Sequence, residues 1–209
     1  MIAILDYGIG NLASIQNIIR HIGGDAVVTR DPDVLRAASG LILPGIGSFD
    51  ACMLALRRSG LLPVLEQRVR GDKIPLLGIC VGMQMLGHGS AEGREAGLGW
   101  IDAAARKFSP APGLRVPHMG WNHVTARADS PLFAGMDATP RFYFAHSYHV
   151  VCADAADVAA TTDYGGGFTA ALRRGNIYAA QFHPEKSHTF GMALFRNFLT
   201  IAGASHAAA

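Results

Sequence analysis

The chain has 209 residues, of which half are apolar and 16% are charged, and its formal net charge at pH 7 is +2. This length and composition indicate a globular domain with a sizeable core and exclude a disordered protein. The small net charge without a long basic run gives no support to nucleic-acid binding, and no apolar run reaches the roughly 18 residues of a membrane span.

The first residues and the cysteines indicate where the protein works. Residues 1–6 enter a strand pattern directly, without the basic segment that opens a secretory signal peptide. The three cysteines, Cys52, Cys80 and Cys152, are too few and too scattered for a disulfide framework. We therefore expect a cytoplasmic protein in a reducing compartment, where a thiol is free for chemistry.

The N-terminal half alternates predicted strands and helices. Strands are predicted at residues 2–5, 26–29 and 41–43, and a fourth ends just before Cys80. Because consecutive strands joined by helices pair in parallel, this order predicts a parallel sheet with helices on both faces.

Three helical stretches separate these strands. Asn11 is a plausible N-cap of the first, whose apolar stripe consists of Leu12, Ile15, Ile19 and Ile22. Asp31 and Pro32 provide the cap and first residue of a short second helix. The third stretch covers residues 49–70, with a possible break at residues 60–63.

The C-terminal half is predicted to be mainly antiparallel. Short strand-like runs occupy residues 146–151, 158–161, 169–173 and 177–182, and Arg174-Gly175-Asn176 is a hairpin turn between the last two. An amphipathic helix is predicted at residues 190–201, before a small-residue tail at 203–209. The fold class is thus α/β, with a mostly parallel central sheet flanked by helices and an antiparallel portion, in one domain over residues 1–202.

The sequence GICVG places Cys80 between a predicted strand and a predicted helix. Gly78 and Gly82 remove the Cβ atoms that would clash in so tight a turn. The G-x-S-x-G turn of hydrolases presents a serine nucleophile in this way, and here the presented atom is sulfur. A helix N-terminus favours the thiolate form of such a cysteine. Taken alone, the motif fits a buried structural cysteine equally well.

The sequence QFHPEKS places His183 and Glu185 directly after another predicted strand. Pro184 restricts His183 to an extended backbone. A histidine near a thiol can take its proton, and a carboxylate can orient the imidazole. Taken alone, this pair fits a strand end with a solvated carboxylate better. Because ligands bind at the carboxyl ends of parallel strands, we expect this pair, Cys80 and the loop PGIG at residues 44–47 to meet there.

Together these motifs resemble those of the class I glutamine amidotransferases, which have a flavodoxin-like α/β fold. The stretches DYGIGNL, PGIGSFD, PHMGWN, AHSYHV and QFHPEKS narrow the resemblance to the glutaminase subunits of imidazole glycerol phosphate synthase. The resemblance extends from Asp6 to about Phe198. It implies a Cys80–His183–Glu185 triad that hydrolyses glutamine to glutamate and ammonia, without a cofactor.

Further site residues follow from the motifs and from the resemblance. Candidate donors to the oxyanion are the N–H of Val81 and the loop residues Ile46 and Gly47. By resemblance, the α-amino group of glutamine is held by Gln84 and Glu92. The backbone around His146, Ser147 and Tyr148 is implied to hold the α-carboxylate.

The resemblance also implies a partner. Such subunits pass ammonia to a (β/α)8-barrel cyclase subunit in a heterodimer that makes imidazole glycerol phosphate and an aminoimidazole carboxamide ribotide in histidine biosynthesis. The residues that match partner-facing positions are Asn11, Trp121, Tyr143 and Lys186. Without the resemblance, Trp121 and Tyr143 would be assigned to the core and Lys186 to the surface.

The sequence departs from the family pattern at a few positions. PGIG replaces the commoner PGVG, Ala91 replaces a frequent acidic residue, and Ala145 replaces a larger apolar residue. These departures concern the affinity for glutamine and leave the triad unchanged. The nine histidines are scattered without a set at ligand spacing, so no metal site is predicted.

Two other functions remain open at this point. The chain could be the glutaminase subunit of another amidotransferase, such as pyridoxal phosphate synthase, although HMGWN and HPEKS argue against it. It could also be a non-catalytic regulatory module on the same fold, although the complete set of Cys80, His183 and Glu185 argues against that.

Overall fold

The computed structural model describes residues 1–109, 113–137 and 139–203 and forms an α/β fold around an eight-stranded sheet. Its strands, in chain order, are β1 (Ile2–Leu5), β2 (Ala26–Thr29), β3 (Gly40–Gly45), β4 (Leu76–Cys80), β5 (Ala103–Lys107), β6 (His118–His123), β7 (Thr125–Ala126), β8 (Arg141–His146), β9 (Tyr148–Cys152), β10 (Val158–Asp163), β11 (Gly167–Arg174) and β12 (Ile177–Ala180). The order across the large sheet is β2-β1-β3-β4-β12-β11-β10-β7.

The first five strands in this order are parallel, and β11, β10 and β7 continue the sheet in antiparallel pairing. All residues of β1, β3, β4 and β12 are buried. A parallel strand that is covered on both faces needs such a continuous apolar run, which explains why the sequence pattern predicted these strands well.

Helices cover the sheet. They are α1 (Leu12–His21), α2 (Pro32–Ala37), α3 (Phe49–Arg58), α4 (Leu62–Glu66), α5 (Val81–Met85) and α6 (His188–Ile201). They pack in pairs, α1 against α6, α2 against α4 and α3 against α5. The predicted break near residue 60 is present, and a π-helical turn at Gln67–Gly71 follows α4.

Two small antiparallel sheets form beside the large one, β5 paired with β9 and β6 paired with β8. The β6–β8 register places His118 opposite His146 and Trp121 opposite Tyr143. This pairing matters for the site, because it joins the stretch PHMGWN to the stretch AHSYHV.

Several predicted elements differ from the structure. The predicted strand at 146–151 is split at Ser147 between β8 and β9, so His146 and His149 belong to different strands. Asn11 precedes α1 as expected, but its side chain makes no capping hydrogen bond. The last helix begins at His188, two residues earlier than predicted.

Strands β5, β6 and β7 were not predicted, nor was β8 apart from its last residue, His146. Strand β5 consists of Ala, Arg and Lys, residues of low strand propensity, and β6 contains a glycine and two histidines.

Residues 204–209 of the predicted C-terminal tail lie outside the described residues. Among the helices that the structure describes, none combines the length and the apolarity needed to cross a membrane.

Candidate functional site

Cys80 lies at the sharp junction between β4 and α5. Its backbone has φ 55° and ψ −112°, a conformation that costs a non-glycine residue energy and persists only where the surroundings impose it. A Cβ at Gly82 would lie 2.0 Å from the carbonyl oxygen of Leu43, and one at Gly78 would lie 2.9 Å from that of Gly82. The two glycines therefore allow the turn, as the sequence predicted, although α5 is only five residues long.

His183 and Glu185 form a buried pair beside this junction. The Nδ1 atom of His183 lies 2.9 Å from the Oε1 atom of Glu185, and the two side chains are 4% and 1% exposed. Burial lowers the pKa of His183, but hydrogen bonds with Cys80 and Glu185 outweigh it and raise that pKa to about 10. His183 is therefore an imidazolium at neutral pH, held between a sulfur and a carboxylate.

A buried serine that the sequence reasoning missed holds this pair in place. The Ser187 hydroxyl donates to the carbonyl of His183 at 2.6 Å and accepts from the N–H of Tyr143 at 3.0 Å. The N–H of His183 donates to the carbonyl of Tyr143 at 2.9 Å. The turn that carries His183 is thereby tied to β8, and the only sequence signal for Ser187 is its place in QFHPEKS.

A cavity of about 390 Å³ opens above Cys80 and brings together most of the predicted site residues. Its lining includes Cys80, His183, Ile46, Gly47, Val81, Gln84, Glu92, His146, Ser147, Tyr148 and Lys186. Glu185 lies behind His183 and does not line the cavity. The nucleophile candidate, all three oxyanion-hole candidates and every predicted glutamine contact thus share one space.

The side chains of Gln84 and Glu92 are both held by hydrogen bonds to neighbouring protein groups. The Nε2 atom of Gln84 donates to the carbonyl of Tyr148 at 3.1 Å and to the Oε1 atom of Gln181 at 3.2 Å. The Oε2 atom of Glu92 accepts from the N–H of Phe49, the first residue of α3, at 2.8 Å. Each side chain therefore presents a fixed face to the cavity.

The loop of residues 44–47 is held from below by two buried side chains. The Tyr7 hydroxyl donates to the carbonyl of Pro44, and the Cys52 thiol donates to the carbonyl of Ile46 at 3.2 Å. Because a peptide unit is planar and trans, the N–H of Gly47 points opposite to the Ile46 carbonyl, away from Cys52. Gly47 has φ +80°, which glycine adopts without strain.

The ring of His146 bonds to protein groups, while its backbone borders the cavity. Its Nδ1 atom lies 2.9 Å from the carbonyl oxygen of Tyr148, and its Nε2 atom lies 3.1 Å from the Nδ1 atom of His118. Both rings pack among aromatic side chains, which are Phe108, Phe144 and Phe168. Burial lowers the pKa of His118 to about 4 and that of His146 to about 3.

Three of the four predicted partner-facing residues form one surface cluster. The Trp121 and Tyr143 rings are 6.2 Å apart, and the ammonium of Lys186 lies 5.7 Å from the centre of the Tyr143 ring. Trp121 is 43% exposed, which its alternative assignment to the core does not explain. Asn11 lies outside this cluster, before the first residue of α1.

The described residues contain no group of three or more His, Cys, Asp or Glu side chains that could hold a metal ion. All three cysteines are free. Of the positions that depart from the family pattern, Ala91 is exposed and Ala145 lines the cavity.

A family model for the class I glutamine amidotransferases matches residues 3–202. The chain is 49% identical over 199 residues to "Imidazole glycerol phosphate synthase subunit HisH 2" of Methanococcus maripaludis, covering 95% of this chain and 98% of the relative. It is 46% identical to the protein of the same name from Pseudomonas aeruginosa, covering 96% and 100%. The protein named subunit HisH from Leptospira interrogans is also 46% identical, with the same coverage.

Solved structures at lower identity share the fold. A crystal structure of a glutamine amidotransferase superposes with a TM-score of 0.75 at 22% identity, covering 97% of this chain and 98% of that one. A structure of PurLQS from Thermotoga maritima superposes with a TM-score of 0.71 at 20% identity, covering 95% and 97%. The chain belongs to the class I glutamine amidotransferases and, within them, to the family of imidazole glycerol phosphate synthase subunit HisH.

Proposed function

We propose that this chain is the cytoplasmic glutaminase subunit of an imidazole glycerol phosphate synthase. It hydrolyses glutamine to glutamate and ammonia with Cys80, His183 and Glu185, and it delivers the ammonia to a (β/α)8-barrel cyclase subunit. The cyclase subunit uses the ammonia to make imidazole glycerol phosphate and an aminoimidazole carboxamide ribotide. The observation that carries this proposal is the strained Cys80 in one cavity with a buried, carboxylate-bound His183.

The first half of the reaction forms a thioester. The Cys80 thiolate attacks the side-chain amide carbon of glutamine, and the carbonyl oxygen becomes an oxyanion. The N–H of Val81 and an N–H of the Ile46–Gly47 loop are the donors for this charge, and one such donor is worth roughly 3 kcal/mol. The His183 imidazolium then gives its proton to the departing nitrogen, which leaves as ammonia.

The second half of the reaction regenerates the enzyme. The neutral imidazole of His183 takes a proton from water, and the resulting hydroxide attacks the thioester carbon. Glutamate leaves, and sulfur and imidazolium return to their starting charges. Glu185 holds the imidazole through Nδ1 and takes no proton in either half, so its contribution is orientation and charge stabilisation.

The cavity provides contacts for both ends of glutamine. Gln84 and Glu92 offer acceptor oxygens to the α-ammonium group, and the backbone around His146, Ser147 and Tyr148 borders the place for the α-carboxylate. Lys186 reaches from this cavity to the cluster with Trp121 and Tyr143, which is the surface proposed for the cyclase subunit.

The two alternatives from the sequence have less support. The curated relatives reported above all carry the name of imidazole glycerol phosphate synthase subunit HisH, and none carries that of a pyridoxal phosphate synthase subunit. A non-catalytic module has no need to keep a strained cysteine beside a buried histidine–carboxylate pair.

Replacing Cys80 with alanine tests the proposal. We expect Cys80→Ala to lose glutamate release in the complex with a cyclase subunit, because no other group can form the thioester. The same complex, given the cyclase substrate and added ammonium, should still form imidazole glycerol phosphate. Cys152→Ala is the matched control and should release glutamate at the wild-type rate. Glutamate release by Cys80→Ala would contradict the proposed nucleophile.

A further inference from the structure

The side-chain amide of Gln84 has a fixed direction. Its Nε2 atom donates both hydrogens to protein acceptors, one to the carbonyl of Tyr148 and one to the Oε1 atom of Gln181. A primary amide has only two N–H donors, so the Oε1 atom of Gln84 is the group left for a ligand. Gln84 lines the cavity, and therefore it offers that ligand an acceptor and not a donor.

Gln181 connects this amide to the sulfur of Cys80. Gln181 is fully buried, and its Oε1 atom accepts from Gln84. Its Nε2 atom donates to the Sγ atom of Cys80 at 3.8 Å. Because the oxygen of Gln181 faces Gln84, its N–H must face the sulfur, where a donor stabilises negative charge.

His146 holds the other acceptor of Gln84. The Tyr148 carbonyl accepts from the Nδ1 atom of His146 at 2.9 Å as well as from Gln84. A carbonyl cannot donate, so the hydrogen of the neutral ring must be on Nδ1, and Nε2 must accept. The group facing that Nε2 atom is Nδ1 of His118, at 3.1 Å, which therefore carries a hydrogen in its turn.

These hydrogen bonds form one series, which runs from the Cys80 sulfur through Gln181, Gln84, the Tyr148 carbonyl, His146 and His118. Asn122 is at the far end of this series. The Nε2 atom of His118 is left as an acceptor and lies 3.3 Å from Nδ2 of Asn122. The same Nδ2 atom donates to the carbonyl of Asp163 at 3.0 Å, and the N–H of His123 donates to Oδ1 at 2.8 Å. Each amide and each ring along the series thus has one permitted orientation. The lowered pKa values of His118 and His146 keep both rings neutral, as this arrangement requires.

We propose that His118, His146 and Gln181 are positioning residues for the glutaminase reaction, because this series turns the Gln84 oxygen toward the α-ammonium of glutamine and a donor toward the Cys80 sulfur. The inference rests on the proposed function. It assigns a task to PHMGWN and to the glutamine of QFHPEKS, neither of which the triad explains.

The far end of the series is tested by removing and then restoring one donor. In His118→Leu the Nε2 atom of His146 loses its donor, and the ring is free to turn away from the Tyr148 carbonyl. We expect the KM for glutamine, measured in the complex with the cyclase and its substrate, to rise about tenfold, with a smaller change in kcat. In His118→Asn the amide nitrogen replaces Nδ1, and KM should return to within about threefold of the wild-type value.

The near end is tested at the sulfur, with a measurement that does not need glutamine. In Gln181→Met the side chain keeps its approximate size, but the N–H donor to the Cys80 sulfur is lost. We expect kcat to fall about tenfold, and the pH at which iodoacetamide alkylates Cys80 at half the maximal rate to rise by about one unit. Peptide mass spectrometry locates the modified cysteine. Gln16→Met is the control, because Gln16 makes a comparable hydrogen bond to the carbonyl of Ala26 far from the cavity.

Opposite results would overturn the inference. An unchanged KM in a folded His118→Leu, or a His118→Asn no better than His118→Leu, would reduce His118 to packing. If His118→Leu does not fold, a wild-type alkylation profile in Gln181→Met decides against the series. A wild-type complex that releases no glutamate would instead contradict the proposed function, and the alkylation measurement would still test the contact between Gln181 and sulfur.

Discussion

The charge on His183 is set by its two neighbours. Burial alone would lower the pKa of this histidine, yet the sulfur of Cys80 and the carboxylate of Glu185 reverse the effect and raise it to about 10. The Oε2 atom of Glu185 is buried and makes no hydrogen bond within the described residues, so the carboxylate serves His183 alone. Two side chains that are two residues apart in sequence thus act as one unit.

Replacing His183 and Glu185 one at a time distinguishes proton transfer from orientation of the imidazole. We expect His183→Ala to lose nearly all glutaminase activity, because no other group can protonate the leaving nitrogen. Glu185→Gln should lose less, since the amide oxygen can still accept from Nδ1 while the negative charge is gone. Glutamate release at saturating glutamine is the measurement.

Added ammonium provides the control for both variants. With ammonium in place of glutamine, both complexes should form imidazole glycerol phosphate at the wild-type rate. Near-wild-type glutamate release by His183→Ala and by Glu185→Gln would remove both residues from the proposed triad.

The neutral rings of His118 and His146 make stability depend on pH. Their folded pKa values lie below the usual 6.5, so the unfolded chain binds more protons in acid, and the free energy of unfolding falls as pH drops. Between pH 7 and pH 5 each ring should lower the free energy of unfolding by about 2 kcal/mol. His183 does not add to this loss, because its raised pKa gives stability that is complete below pH 6.5 and is lost as pH rises toward 10.

Urea unfolding at pH 7 and pH 5 measures this loss. We expect His118→Asn to lose about 2 kcal/mol less than the wild-type protein on acidification. His21→Asn, which changes an exposed histidine at the end of α1, is the matched control. An equal loss in His118→Asn and in the wild-type protein would show that the His118 ring is not held neutral.

Helix α6 supports the turn that carries the proposed catalytic pair. Gly191 is buried in the first part of α6, and a Cβ there would lie 1.8 Å from the carbonyl oxygen of Pro184. No side chain can relax to relieve this contact, because the atom that is too close belongs to the backbone. The helix and the turn at Pro184–Lys186 therefore approach as closely as two backbones can.

Gly191→Ala tests this contact. Alanine is about 1 kcal/mol better than glycine inside a helix, so an isolated helix would gain stability. We expect the protein instead to lose about 2 kcal/mol, or roughly 4–8 °C in Tm, because the turn must move. Thermal unfolding measures the change in Tm, and glutaminase activity should fall together with the Tm. Gly167→Ala, with nothing within 4 Å of the added atom, is the control. A Tm at or above the wild-type value would contradict the close approach.

The sequence predicted all five parallel strands of the large sheet, and the clearest patterns were those of the strands that are buried on both faces. Continuous apolar runs marked β1, β3, β4 and β12, and glycine and proline marked their ends. Of the strands in the small sheets, β9 was largely predicted, but β5 was missed because it consists of Ala, Arg and Lys, and β6 because it turns His118 inward and Met119 outward. Inward histidines that bond to one another do not give the polar–apolar alternation by which strands are recognised.

The candidate site was largely predictable because its parts follow strands. The PGIG loop, Cys80 and His183 lie at or just beyond the carboxyl ends of β3, β4 and β12, which are adjacent in the sheet, so they meet at one edge. The contacts of Gln181, Ser187 and His118 were not predictable. They depend on how β6, β8 and the last turn pack around the cavity, and no local pattern encodes that packing.

Lys186 links the cavity to the surface, so its removal tests the coupling of the two subunits. In Lys186→Ala the ammonium over the Tyr143 ring is lost, and with it a contact between the proposed catalytic turn and the partner surface. We expect the fold to persist. Glutamate release should exceed imidazole glycerol phosphate formation, or stimulation by the cyclase substrate should fall.

The ratio of the two products, at matched protein and glutamine concentrations, is the measurement. Lys73→Ala, on the surface before β4, is the matched control and should keep the wild-type ratio. If Lys186→Ala keeps both the ratio and the stimulation, Lys186 is only a solvated surface charge.

The pairing of β4 with β12 restricts which parts of the cavity can change shape. Ile79, one residue before Cys80, is the register partner of Ala180, which is three residues before His183. The backbone of Cys80 is thus at the end of one strand and the backbone of His183 follows its neighbour, so the sheet holds the two residues close together. Pro44 and Gly45 of the PGIG loop belong to the same sheet, as register partners of Ile79 and Cys80, whereas Ile46 and Gly47 lie beyond the end of β3. The cavity therefore has a floor fixed by strand pairing and a wall, at Ile46 and Gly47, that lies outside the sheet, and we expect control exerted through a partner to act on that wall.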